Sequence, residues 1–454
     1  MKVKKLLAVL ITGMLVTGML AGCGATDESN NDTTQETKVQ VQEEVKETDT
    51  GESDSTDNIN AKIEVEVGYT GDMLDGFRAI LSDFTAETGV QIELITPGSD
   101  YETVMKTRMA SGDMPDVFIT HGWSIARYKE YLLSLNDQKW IDNIDDSIKS
   151  VISDSDGNIY VLCVSQGING IEYNKDVLDA AGVKIEDLTT MDKFIEACGK
   201  IKASGVTPMY LGGKDSWTSA GLMDNFAPAY FTAEGCAYPS GEQLKDGSFD
   251  WTDAGAVFFN DLKDMINNGY FNEDFVTADE TQGFEALATG KCAFLVGGLS
   301  IDRVRTYNAD AQIGIMPIPS TSDTGKMLYM AGEGSAFGIW KDSEYVDEAK
   351  QLLNYLSDAS IAAKIVKFDN NIPALSNIDS ANNISYTTFS SSQQTFAGKI
   401  CYDNIFDREY LPSGMWSIMT DSVMEVFMDP TDKGVDTAVN DMQENYVEMM
   451  EAMK

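Results

Sequence analysis

The most constraining feature is a change of hydrophobic period, made four times in the hundred residues from Lys62. In Lys62-Ile63-Glu64-Val65-Glu66-Val67 apolar and charged residues alternate, a period of two that specifies a strand. Phe77, Ile80, Leu81 and Phe84 then fall at i, i+3, i+4 and i+7, one face of a helix, and Gly89 is placed to end it. Val90-Gln91-Ile92-Glu93-Leu94 returns to period two, and Thr96-Pro97-Gly98-Ser99-Asp100 breaks the chain. Tyr101, Val104, Met105 and Met109 mark a second helix before Gly112, and Asp116-Val117-Phe118-Ile119 reads as a short buried strand. This βαβαβ alternation predicts an α/β fold, with mostly parallel sheets flanked by helices. Open sheets of that kind bind ligands beyond the carboxyl ends of their strands. Those ends carry Tyr69 and Asp72, then Asp100, then His121 and Trp123. Hydroxyl, carboxylate and flat aromatic groups together suit a small, polyhydroxylated ligand.

The N-terminal end reads differently. Lys2, Lys4 and Lys5 precede an apolar run from Leu6 to Leu20, too short to span a bilayer, so residues 1–22 read as a signal peptide. The run closes on Leu20-Ala21-Gly22-Cys23, which resembles the lipobox of bacterial lipoproteins and implies cleavage before Cys23 and its acylation. Two acyl chains anchor a protein stably where one is marginal. The rest of segment 23–60 is acidic and nearly free of large apolar residues, a tether that cannot bury enough surface to offset its chain entropy. The remaining length, about 395 residues, is enough for two domains.

With 73 acidic and 33 basic residues the formal net charge is −40, which disfavours nucleic acid and anionic lipid headgroups as partners. A single histidine leaves little room for histidine chemistry, and no cofactor or metal is implied. Asp154-Ser155-Asp156-Gly157-Asn158 lacks the spacing and closing glutamate of a calcium loop and reads as a hairpin turn. With Cys23 acylated, Cys163, Cys198, Cys236, Cys292 and Cys401 remain, an odd number without a C-x-x-C pair, expected to be small core residues.

Thr96-Pro97-Gly98-Ser99-Asp100-Tyr101 and Ala110-Ser111-Gly112-Asp113-Met114-Pro115-Asp116-Val117 resemble the first lobe of the bacterial extracellular solute-binding proteins, family 1, the sugar-type lipoproteins of ABC importers. Tyr173-Asn174-Lys175-Asp176-Val177-Leu178 resembles the family's arrival in its second lobe, and Gly290-Lys291-Cys292-Ala293 resembles a central strand there. The resemblance implies a type II, two-lobed periplasmic-binding-protein-like fold joined by hinge strands. The expected division is 61–166 and 317–374 in lobe 1, and 167–316 with a helical 375–454 in lobe 2. It further implies a carbohydrate ligand, the transmembrane subunits of an ABC permease as partner, a monomer and anchoring at the cell membrane outside the cytoplasm; the acidic tether and the unpaired cysteines point to a Gram-positive cell. Gly212-Gly213-Lys214-Asp215-Ser216-Trp217 resembles a ligand loop, so Lys214, Asp215 and Trp217 join the expected site with Gly298, Glu333 of the glycine-rich segment 332–335, and Trp416. The chain departs from the family pattern at Val161 and Cys163, where glycine and proline are usual, and at Leu299-Ser300, where a stacking tryptophan is usual. Two other readings stay open: a lipid-anchored carbohydrate hydrolase, which would need two carboxylates flanking a sugar bond, and a peptide or polyamine binder on the same scaffold.

Overall fold

The computed structural model describes residues 61–453 apart from 121, 123 and 370. The signal peptide, Cys23 and the tether therefore lie outside the described residues, as do His121, Trp123 and the side chain of Asp72.

Strand β1 (Lys62–Glu66) buries Ile63 and Val65, as the alternation predicts. The helix Gly71–Thr88 follows and ends on Gly89 at φ 80°, a left-handed cap that glycine adopts without steric cost. After β2 (Gln91–Ile95) the helix Tyr101–Ser111 ends the same way on Gly112, and β3 (Val117–Ile119) closes the unit. β1 pairs parallel with both β2 and β3. The charged face of β1 is also covered: Glu66 is fully buried and accepts a hydrogen bond at 2.8 Å from Arg108 on the second helix. That is what helices on both faces of a parallel sheet require.

The later strands are β4 (Val161–Cys163), β5 (Ser165–Asn174), β6 (Thr207–Met209), β7 (Cys292–Gly298), β8 (Ile313–Met316), β9 (Met327–Glu333), β10 (Ala336–Ile339), β11 (Ile372–Pro373) and β12 (Ile400–Asp403). The first sheet runs β2-β1-β3-β10-β4; the second runs β12-β9-β5-β7-β6, with β8 and β11 also on β5. Both sheets are mixed. The expected parallel order holds for β2-β1-β3, whereas β10 is antiparallel to its two neighbours and β5 to all four of its own.

Each lobe has its own hydrophobic core. One gathers Ile63, Phe77, Phe118, Leu162 and Phe337; the other gathers Phe194, Phe231, Trp251, Phe294 and Tyr446. β5 puts Ile168 in the first core and Ile171 in the second, and β9 likewise splits Ala331 from Leu328. These two strands therefore join the lobes. The segment after residue 375, expected to be helical, contains β12, which lies parallel to β9. The closing helix Asp432–Ala452 buries Val435, Val439, Met442 and Tyr446 along one face. The Asp154 turn is closed by a bridge between Ser153 and Ile159, with the Asp154 carboxylate held by Lys129 at 2.7 Å. All five described cysteines are free, four of them buried and Cys401 partly so. No described helix is long and apolar enough to cross a membrane.

Candidate functional site

A cavity of about 480 Å³ opens where the three strand-end turns of the first lobe meet β5 and β9. Gly68 to Thr70, Gly98 and Ile119 reach it, so the turns converge as the βαβαβ reading predicts. Tyr69 is buried, and its hydroxyl donates to Ser335 Oγ at 2.7 Å. Glu333 is also buried; its carboxylate accepts from the hydroxyls of Thr120 and Ser124 and from Ser124 N at 3.3 Å. Burial nevertheless pushes its pKa above the ordinary carboxylate range. Gly334 permits this crowding, because a side chain there would collide with Ser165, Asn371 and Asp369.

The opposite wall of this cavity carries Arg408 from the helix Phe406–Tyr410. Its guanidinium packs on Gly122, in the turn after β3, where a side chain would overlap it. Burial lowers the Arg408 pKa against the opposing pull of Asp224, Asp407, Glu333 and Glu102. Glu102 faces the same cavity with one buried carboxylate oxygen lacking a partner.

A second cavity of about 330 Å³ lies in the other lobe and shares Asn169 with the first. Trp217, half exposed, and Trp416, partly buried against the core, both line it. Glu172 on β5 accepts from Ser300 N at 2.6 Å and from Ser300 Oγ at 2.5 Å. Burial raises it to about 7, and likewise raises Asp224 to about 7 despite a hydrogen bond from Asp407 N at 2.8 Å. Leu299 and Ser300 line this cavity where the family pattern has a tryptophan, so here the stretch supplies the partner of a buried acid.

Of the expected residues, Tyr69 and Glu333 thus face the first cavity, and Trp217, Gly298 and Trp416 the second. Asp100, Lys214 and Asp215 line neither. Asp100 is exposed in the short turn Gly98–Asp100. Lys214 pairs with Asp279 at 3.2 Å, and Asp215 accepts from Glu280 N at 2.9 Å, so both fasten their loop to the start of the helix Glu280–Ala288. The glycine of that loop serves the same contact: a side chain at Gly212 would meet the backbone of Asp279 and Glu280 at 2.7 Å. Sequence reasoning missed Glu102, Glu172, Asp224, Asn225 and Arg408. Each is a single polar residue on a helix or strand, with no motif spacing to mark it.

A family model for the bacterial extracellular solute-binding proteins matches residues 70–363. The melibiose/raffinose/stachyose-binding protein MelE of Bacillus subtilis is 31% identical over 350 residues, covering 76% of this chain and 80% of its own. Among solved structures, a Bacillus subtilis binding protein in an open conformation aligns at TM-score 0.80 and 28% identity, covering 88% of this chain and 100% of its own. A Bacillus licheniformis sugar transporter protein in complex with stachyose aligns at TM-score 0.68 and 28% identity, covering 86% and 100%. With two lobes, strands that cross between them and cavities at the crossing, the chain belongs to the bacterial extracellular solute-binding protein family.

Proposed function

We propose that this chain captures a neutral oligosaccharide between its lobes and delivers it, outside the cytoplasm, to the transmembrane subunits of an ABC importer. The observation that carries this reading is the pair of cavities sharing Asn169, lined by hydroxyls and carboxylates from both lobes and by two tryptophans in the second. A ligand that touches both lobes favours a closed state, which a permease can distinguish from an empty receptor. The crossing strands β5 and β9 support the hinge, and the better agreement with the open relative supports an open conformation here. The lipobox-like Leu20-Ala21-Gly22-Cys23 supports a receptor tethered through acylated Cys23, and the acidic segment after it, with the odd number of remaining cysteines, supports a Gram-positive cell.

The names of its relatives make melibiose, raffinose and stachyose the first ligands to test. Titration calorimetry should show saturable one-to-one heats with at least one of them. No heat with any of the three would overturn the assignment. The hydrolase reading draws on Glu172 and Asp224, two buried acids in one cavity, both raised to about 7. Overnight incubation with stachyose followed by chromatography separates the two: a binding protein returns the sugar intact, and released galactose would identify an enzyme.

A further inference from the structure

The helix Trp217–Phe231 presents Trp217, Thr218, Gly221, Leu222 and Asn225 to the second cavity, a spacing of i, i+1, i+4, i+5 and i+8 along one face. Two members of that face are costly to the protein on its own. Glycine inside a helix is less favourable than alanine, and nothing in the packing requires it at Gly221, where an added side-chain carbon would have no atom within 4 Å. One turn on, Asn225 is 3% exposed; its amide nitrogen donates to Gly221 O at 2.7 Å, and its buried side-chain oxygen has no partner. A buried acceptor left unpaired is destabilising. Both features are accounted for when a ligand lies over Gly221 and donates to Asn225.

We infer that this helix face is a ring subsite, in which one neutral pyranose unit of the oligosaccharide lies with its apolar face over Gly221 and donates a hydroxyl to Asn225 Oδ1. The inference rests on the oligosaccharide reading above and deepens it. A pyranose has the required shape, apolar across its C–H face and rich in donors around its edge. The ring is neutral because Glu172, Asp224 and Glu280 line the cavity while, among the described residues, Arg303 is the single cation there, and Glu280 already holds it at 2.8 Å. Asn169, common to both cavities, marks where the glycosidic chain passes toward the first.

Gly221→Ala tests this without disturbing the fold, since the added carbon meets no atom within 4 Å, and Gly221→Leu extends the same substitution. Thermal midpoints without ligand should be unchanged or higher. Affinity for stachyose, by calorimetry, should fall severalfold with alanine and at least tenfold with leucine. Asn225→Ala should also weaken binding about tenfold without lowering the midpoint, since it removes the unpaired acceptor, and digalacturonic acid should not bind the parent protein. Undiminished stachyose affinity in Gly221→Leu, or equal affinity for digalacturonic acid, overturns the subsite while leaving oligosaccharide capture standing. Failure of the parent protein to bind any neutral oligosaccharide overturns both.

Discussion

Glu172 gives the sharpest handle on the energetics of the cleft. It is 1% exposed, its hydrogen-bond donors among the described residues both come from Ser300, and burial raises its pKa from 4.5 to about 7 despite those bonds. A carboxyl whose folded pKa lies above its unfolded value stabilises the fold fully while both states hold the proton, below about pH 4.5. That contribution is lost as pH rises through about 7, because the unfolded chain ionises freely and the buried group does not. A shift from 4.5 to about 7 corresponds to roughly 3 kcal/mol. Glu172→Gln keeps an acceptor for Ser300 N and removes the titration, and the Ser300 hydroxyl can turn to accept from the new amide. Asp224 and Glu333 titrate in parent and variant alike and cancel in the difference. Urea unfolding at pH 4.5 and pH 8.5 should therefore give similar stabilities at the lower pH and a variant more stable by about 3 kcal/mol at the higher, with unchanged m. A stability difference that stays constant between the two pH values would refute the argument.

Trp416→Ala should weaken stachyose binding at least tenfold and cost about 1–3 kcal/mol of stability, less than a fully buried tryptophan such as Trp251, because Trp416 is only partly buried. Calorimetry and denaturant unfolding report the two losses separately, and retained affinity would remove Trp416 from the site. Small-angle scattering should show a smaller radius of gyration at saturating stachyose; an unchanged radius would count against hinge closure. Cys23→Ala should leave the protein in the soluble fraction or as an uncleaved precursor, and normal processing with membrane retention would exclude the lipid anchor.

Periodicity carries a reading only where a segment's own residues decide its structure. The strands and helices from Lys62 to Ile119 were legible for that reason, as were their glycine caps, since Gly89 and Gly112 each end a helix in a conformation that side chains resist. β12 was not legible: its four residues are held by pairing with β9, more than seventy residues earlier in the chain, so nothing local distinguishes them from a helix. Lys214 and Asp215 illustrate the reverse case. Their charges and flanking glycines suit a ligand loop, yet whether such groups meet a sugar or the start of a neighbouring helix depends on where the helix Glu280–Ala288 packs.

From its sequence alone, then, the chain determines an acidic α/β protein whose turns after β1, β2 and β3 converge on one cavity, because hydrophobic period and chain breaks are local properties, while its two lobes were legible through the family resemblance. The second cavity, the Arg408 contact across the cleft and the raised pKa values of Glu172 and Asp224 were decided only in the tertiary structure. Desolvation and charge pairing depend on what is brought alongside a group, and Asp224 lies 183 residues from the backbone amide that it accepts.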